Sequence, residues 1–220
     1  MYEWETDKNF INLAYRESAD LVNRLVQNLK KYDIEAGMKI AGSKSGNMIL
    51  KNGKSGIDFD FNLEIKNTPS WKGKFIKKTI IKAFNEVLNK DGLNNCEDST
   101  SVISSKEIEL MGINNTTPFK IDICIVRKRL INNAITVERL IHNKTGNEKS
   151  DTYIWNIAYK GSKEFDKKVI RLKNKGYWDE VRECYKDFRN MYLREKDDNH
   201  PAYVCYIQAV NQVYNSYYDI

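Results

Sequence analysis

The sequence predicts an α+β protein: a small, mixed, twisted sheet flanked by helices and followed by a mainly helical C-terminal lobe. Three observations predict it. Two segments, Ile57 to Ile65 and Phe119 to Ile125, alternate strictly between apolar and polar residues, the mark of strands with one buried face. Two long segments, one before the first strand and one between the two, carry apolar residues at helical spacing. The C-terminal part repeats that spacing three times, over about 162–174, 177–194 and 200–217.

The first helix runs from about Asn9 to Tyr32, with Phe10, Leu13, Ala14, Leu21, Leu25 and Leu29 on one stripe and Val22 and Val26 beside them. A short apolar run, Met38 to Ala41, leads into a loop rich in Gly, Ser, Lys and Asn from Gly42 to Gly56. Ile57, Phe59, Phe61, Leu63 and Ile65 then alternate with Asp58, Asp60, Asn62 and Glu64. The second helix is announced by Thr68-Pro69-Ser70 and ends near Asp91-Gly92. Its buried stripe is Trp71, Phe75, Ile76, Ile80, Ala83, Phe84, Val87 and Leu88. A weaker strand covers Val102 to Met111. In the strong strand after it, Phe119, Ile121, Ile123 and Ile125 alternate with Lys120, Asp122 and Cys124. Beyond Val126, basic Arg127-Lys128-Arg129 precedes a short apolar segment and a polar loop from Asn143 to Ser150. The expected division is a core with its N-terminal helix over 1–130 and a mainly helical lobe over 131–220, packed on the core.

Composition bounds the function. Of 220 residues, 41% are hydrophobic and 30% charged, a charge-rich soluble chain. The acidic, aromatic start, Met1-Tyr2-Glu3-Trp4-Glu5, is not a signal peptide, and no run approaches the roughly 20 apolar residues that span a bilayer. A cytoplasmic protein with no membrane partner is expected. The net charge of +6 suits a polyanionic small ligand at least as well as a nucleic-acid duplex. Cys96, Cys124, Cys184 and Cys205 form no C-x-x-C, and the histidines are His142 and His200, so a zinc site has no support and reduced thiols are expected.

Asp58 and Asp60 stand two positions apart on one strand, so both carboxylates leave the same face, with backbones about 6.5–7 Å apart. Asp122 occupies the polar face of the later strand. If the strands are neighbours, three carboxylates converge at the sheet edge, costly without a cation because like charges raise one another's pKa. Paired divalent cations make such a cluster a clamp for in-line phosphoryl transfer. One acidic alternation alone is usually just the wet face of a strand. Gly42-Ser43 adds to it, since glycine lets the backbone approach a phosphate and serine supplies a hydroxyl and an N–H. A lone Gly-Ser pair is usually an ordinary turn, and Lys44, Lys51 and Lys54 in the same loop are more often simply solvated. Gly53-Lys54-Ser55 imitates the end of a P-loop, but Met48 stands where its first glycine belongs, which argues against a Walker-type NTPase. The conjunction of Gly-Ser, loop, acidic strand and later lone aspartate carries the reading.

Gly42-Ser43, Asp58-Phe59-Asp60 and Ile121-Asp122-Ile123 resemble the signature of the DNA polymerase beta-type nucleotidyltransferase superfamily. Asp58-Phe59-Asp60-Phe61-Asn62-Leu63-Glu64-Ile65 is similar to the catalytic strand of cyclic GMP–AMP synthase and its bacterial CD-NTase-like relatives. Trp155-Asn156-Ile157-Ala158-Tyr159 and Ser162-Lys163-Glu164 look like that group's Trp-centred strand and following helix. Trp178 to Tyr192 and His200 to Val210 resemble its C-terminal helices. The resemblance implies a nucleotidyltransferase fold and Mg²⁺ (or Mn²⁺) held by Asp58, Asp60 and Asp122. It implies β/γ-phosphates seated by Gly42 and Ser43, and transfer from ATP or GTP to an acceptor hydroxyl with release of pyrophosphate. A cyclic or linear oligonucleotide signal is one product it allows; the acceptor could equally be an RNA end, a small molecule or a protein side chain. Lys186 (or Arg182) would meet the triphosphate and Tyr203 the base, against the plainer reading of a solvated lysine and a core tyrosine. The rival is an inactive nucleotide- or RNA-binding module of the same fold. The basic helix, with Lys163, Lys167, Lys168, Arg171, Lys173 and Lys175, offers nucleic acid a face, but a solvated surface opposite Phe165, Val169 and Leu172 explains it without a ligand.

Overall fold

The long N-terminal helix forms because its apolar residues fall on one stripe and Asp7 caps its start, accepting from the Phe10 N–H at 2.9 Å. The computed structural model describes residues 1–53, 55–67, 71–131, 133–158, 163–197 and 200–218, apart from the side chains of Ser45 and Lys163. Thr68-Pro69-Ser70, Lys54, Tyr159 and Ser162 therefore lie outside the described residues. In chain order the elements are β1 (Tyr2–Trp4), α1 (Lys8–Leu29), β2 (Ala36–Ile40), α2 (Gly42–Ser45), β3 (Leu50–Asn52), β4 (Ile57–Ile65), α3 (Gly73–Lys90), β5 (Glu97–Asp98), β6 (Ile103–Ser104), β7 (Phe119–Ile131), β8 (Ala134–Asn143), β9 (Thr152–Ile157), α4 (Lys163–Asn174), α5 (Trp178–Glu195) and α6 (Ala202–Tyr218). The fold is α+β.

The chain divides into two compact units, one of Glu5–Ile49 and Ser55–Ala158, the other of Met1–Trp4, Leu50–Lys54 and Tyr159–Ile220. The first holds a mixed seven-stranded sheet ordered β2-β4-β7-β6-β5, with β8 also pairing β7 and β9 pairing β8. The position expected to divide the chain, 130/131, falls inside β7, and β8 and β9 continue the same sheet.

β4 and β7 run parallel, a pairing that requires a crossover, and α3 lies within the connection between them. Their alternation sets the packing. Ile57, Phe59, Phe61, Leu63 and Ile65 of β4 are buried, as are Phe119, Ile121, Ile123 and Ile125 of β7. They meet Phe10, Leu21, Leu25 and Leu29 of α1 and Ile76, Ile80, Phe84 and Leu88 of α3 in one core. Burying each such side chain contributes roughly 1.5–3 kcal/mol. Phe75, expected on the buried stripe of α3, is instead 57% exposed, with its ring edge-on to Trp71 at 5.1 Å. It lies about 100° round the helix from its core-facing neighbour Ile76, so the stripe is narrower than the run of apolar residues suggests. The weaker strand resolves into two-residue β6 and an isolated bridge between Ile108 and Phe119.

A buried ionic cluster fastens the far edge of this unit. The Lys77 side chain, 1% exposed on α3, places its ammonium 2.6 Å from an Asp98 oxygen. Asp98 also meets His142 Nδ1 at 2.9 Å, while His142 Nε2 lies 2.9 Å from Asp151. The imidazole stacks on Tyr153, centroids 4.1 Å apart. Removing one partner of a buried pair leaves the others uncompensated, so Lys77→Ala is expected to cost about 3 kcal/mol in urea unfolding. A loss below about 1 kcal/mol would mean that the cluster is no more than surface-like.

In the other unit, β1 and β3 pair antiparallel, and the Tyr2 N–H donates to Asn190 Oδ1 on α5 at 2.6 Å. Leu172, Val181, Tyr185, Cys205, Ala209, Val210 and Val213 of α4–α6 are buried. The cations of α4 cover aromatic rings of this unit: Lys168 lies over Tyr214, Arg171 over Tyr218 and Lys173 over Trp178. All four cysteines are free thiols, Cys124 and Cys205 buried.

Candidate active site

On the sheet face opposite the core, the parallel register sets Asp60 beside Asp122 and Asp58 beside Lys120. Asp60 and Asp122 are half-buried, whereas Asp58 is exposed one pleat away. The three aspartates thus share a face, with two of them as direct cross-strand neighbours. No group of three His, Cys, Asp or Glu side chains is gathered to hold a metal ion among the described residues. The tight element of the expected triad is a pair.

The pair is electrostatically uncomfortable. Burial first, then the neighbouring Asp122 charge, pushes the Asp60 carboxyl above the usual carboxylate range, and Arg139 pulls partly against them. Burial also raises the Asp122 carboxyl, opposed by a hydrogen bond from Ser104 and by the Lys120 charge. Ser104 stands opposite Asp122 on β6, which is what lets its hydroxyl reach that carboxylate.

The Gly-Ser motif joins the pair through the backbone. The Ala41 N–H donates to the Asp60 carbonyl at 2.8 Å, which brings Gly42 against the Asp60 side chain. Gly42 has φ +62°, and a Cβ there would come within 2.6 Å of the Asp60 Cγ and 2.9 Å of its Cβ. Both the left-handed backbone and the missing side chain are therefore required. Ser43 follows in the short turn α2, its carbonyl accepting from the Met48 N–H at 2.9 Å. Lys44 lies over the Tyr15 ring at 5.3 Å. The structure so brings together Gly42, Ser43, Asp60 and Asp122, with Asp58 alongside.

Structures similar to this chain are those of bacterial CD-NTases. CdnG of Bradyrhizobium diazoefficiens, in complex with GTP, is 15% identical over 72% of this chain and 40% of its own, with a TM-score of 0.45. The cyclic dinucleotide synthase CdnE of Elizabethkingia meningoseptica, with GTP and Apcpp, is 13% identical over 95% of this chain and 69% of its own, TM-score 0.48. CdnC of E. coli MS115-1, with ATP, is 12% identical over 92% and 64%, TM-score 0.47. This chain spans less than half the length of the first and about two thirds of the others. No family model matches the chain, and no curated protein does.

Lys186 and Tyr203 belong to the other unit. Lys186 is engaged with Glu183 one helical turn away and faces the Trp4 ring at 5.9 Å. Arg182 lies over the same ring at 4.4 Å and 3.1 Å from Asp179. Tyr203 is 45% exposed, so it is not the core tyrosine of the plainer reading. Ser104 and Arg139 are the two residues at the pair that sequence reasoning missed. Ser104 sits in a two-residue strand too short for alternation to show. Arg139 sits in a strand whose residues do not alternate in polarity. No helix among the described residues is long and apolar enough to cross a membrane.

Proposed function

We propose that this protein is a divalent-metal-dependent nucleotidyltransferase. It moves a nucleotidyl group from ATP or GTP to an acceptor hydroxyl and releases pyrophosphate. The observation that carries the reading is the in-register pair Asp60–Asp122 with the Gly42 backbone packed against the Asp60 carboxylate.

The donor set fits the ion. Carboxylate oxygens are hard ligands, and Mg²⁺ is usually held by one or two carboxylates together with substrate phosphates and waters, not by an all-protein cage. Asp60 and Asp122 would hold Mg²⁺ or Mn²⁺, with Asp58 contributing from the same face. The cation would supply charge neutralisation at the reacting phosphate and a more acidic acceptor hydroxyl. Asp122 would take the proton of that hydroxyl, its carboxylate held by the hydrogen bond from Ser104. Gly42, whose side-chain space is taken by Asp60, would offer the phosphates its backbone alone, and Ser43 would offer a hydroxyl and an N–H to the β/γ-phosphates.

Incubation with each α-labelled NTP and Mg²⁺ or Mn²⁺, followed by product analysis, tests the reading. A nucleotidylated product and pyrophosphate are expected. Metal-dependent nucleotide binding without turnover on any acceptor would favour the inactive module. Ser43→Ala is expected to weaken NTP binding by about 1–2 kcal/mol, one lost bond to a charged group. An unchanged KM for the nucleotide would place the phosphates elsewhere.

A further inference from the structure

We propose that Arg139 is a phosphate-binding side chain of this site, holding a non-bridging oxygen of the bound nucleoside triphosphate through its guanidinium. The inference rests on the nucleotidyl-transfer reading and adds a residue to it.

Register places Arg139 on the right face. It pairs with Val126 across β7 and β8, so its side chain leaves the sheet on the side shared by Val126, Cys124 and Asp122. Cys124 stands opposite Asn62, two residues along from the Asp60–Asp122 pair. From β8 the side chain borders β7, the strand that carries Asp122, on the face of the Asp60–Asp122 pair.

What the Arg139 Nε lacks is an acceptor among the described residues: it is buried and has no hydrogen-bond partner there. On the adjacent residue pair of the same strands, Arg127 bonds Glu138 at 2.7 Å and covers the Trp155 ring at 4.1 Å. Arg189 bonds the Tyr2 hydroxyl at 2.6 Å, and Arg171 lies 3.7 Å over Tyr218. A guanidinium has five donors in a planar fork, and burying them unpaired is costly. Phosphate oxygens match that fork. The neighbouring carboxylates do not compete for it once a cation occupies them. Cation binding at Asp60 and Asp122 then leaves Arg139 as uncompensated positive charge facing the same space, the condition for seating an anion.

The test is calorimetric titration with a non-hydrolysable ATP or GTP analogue and Mg²⁺, on wild type, Arg139→Gln and Arg139→Lys. Titrations of Mg²⁺ alone and of the unphosphorylated nucleoside accompany them. Arg139→Gln is expected to weaken the analogue about tenfold, the worth of a charged hydrogen bond, and to leave the nucleoside unchanged. Arg139→Lys, which keeps the charge but loses the fork, should fall between and serves if the glutamine variant does not fold. Wild-type affinity for the analogue in both variants would overturn the inference and leave the wider reading standing, with Arg139 only a counter-charge for Asp60. Equal losses for nucleoside and analogue would overturn it too, since the effect would then not lie at the phosphates. A wild type that binds no Mg²⁺–analogue at all would sink both.

Discussion

Asp122→Asn is expected to cut turnover roughly 10²- to 10⁴-fold, the cost of losing a positioned proton acceptor, while leaving the metal-free protein as stable as wild type or slightly more so. The two effects have one cause. In the folded chain burial and the Asp122 charge hold the Asp60 carboxyl above its ordinary value, and burial does the same for Asp122. The folded state therefore binds protons more tightly than the unfolded one, and stability falls as pH rises from the ordinary carboxylate value through the raised ones. Replacing Asp122 removes one such group and relieves the other, so the fall should flatten. Thermal melts in EDTA across that pH window, beside turnover with Mg²⁺, check both halves. Normal turnover would remove Asp122 from the site, and an unaltered pH dependence of the melt would mean the pair is not strained.

Gly42→Ala should be damaging for a different reason. The position needs a positive φ, costing a residue with a side chain roughly 1–2 kcal/mol, and its added Cβ would overlap the Asp60 carboxylate. The Asp60 side chain must then shift from its place, so nucleotide transfer should fall to background along with the unfolding midpoint. Gly42→Val should be worse. Gly53 supplies the control: its φ is +57°, but nothing lies within 4 Å of an added Cβ. Gly53→Ala should show the backbone cost with activity retained. Should the two alanine variants behave alike in turnover, contact with Asp60 is not what Gly42 is for.

The alternation of β4 and β7 was legible because each has one buried face, and a period of two survives in the sequence whatever the neighbouring strands are. Asp60 and Asp122 could be named from it. That they pair with each other while Asp58 faces Lys120 depends on register, which pattern alone leaves open. Phe75 misled because one apolar residue beside a true stripe looks the same whether it packs inward or against a half-buried tryptophan at the edge of the core. Ser104 and Arg139 left no signal, since their roles come from strands that the fold sets alongside β7, one from before it in the chain and one from after. Gly42-Ser43 could be read as a motif, but the contact that makes the glycine necessary is visible only once Ala41 bonds the Asp60 backbone.

Joint binding of a divalent cation by Asp60 and Asp122, with the nucleotide, is open to measurement. Mn²⁺ titration followed by the electron paramagnetic resonance of the free ion, with and without a non-hydrolysable NTP, tests it most directly. Wild type should withdraw Mn²⁺ from solution, more tightly with the nucleotide present, and the Asp60→Asn/Asp122→Asn double variant should not. Equal Mn²⁺ binding by the two proteins would contradict the account.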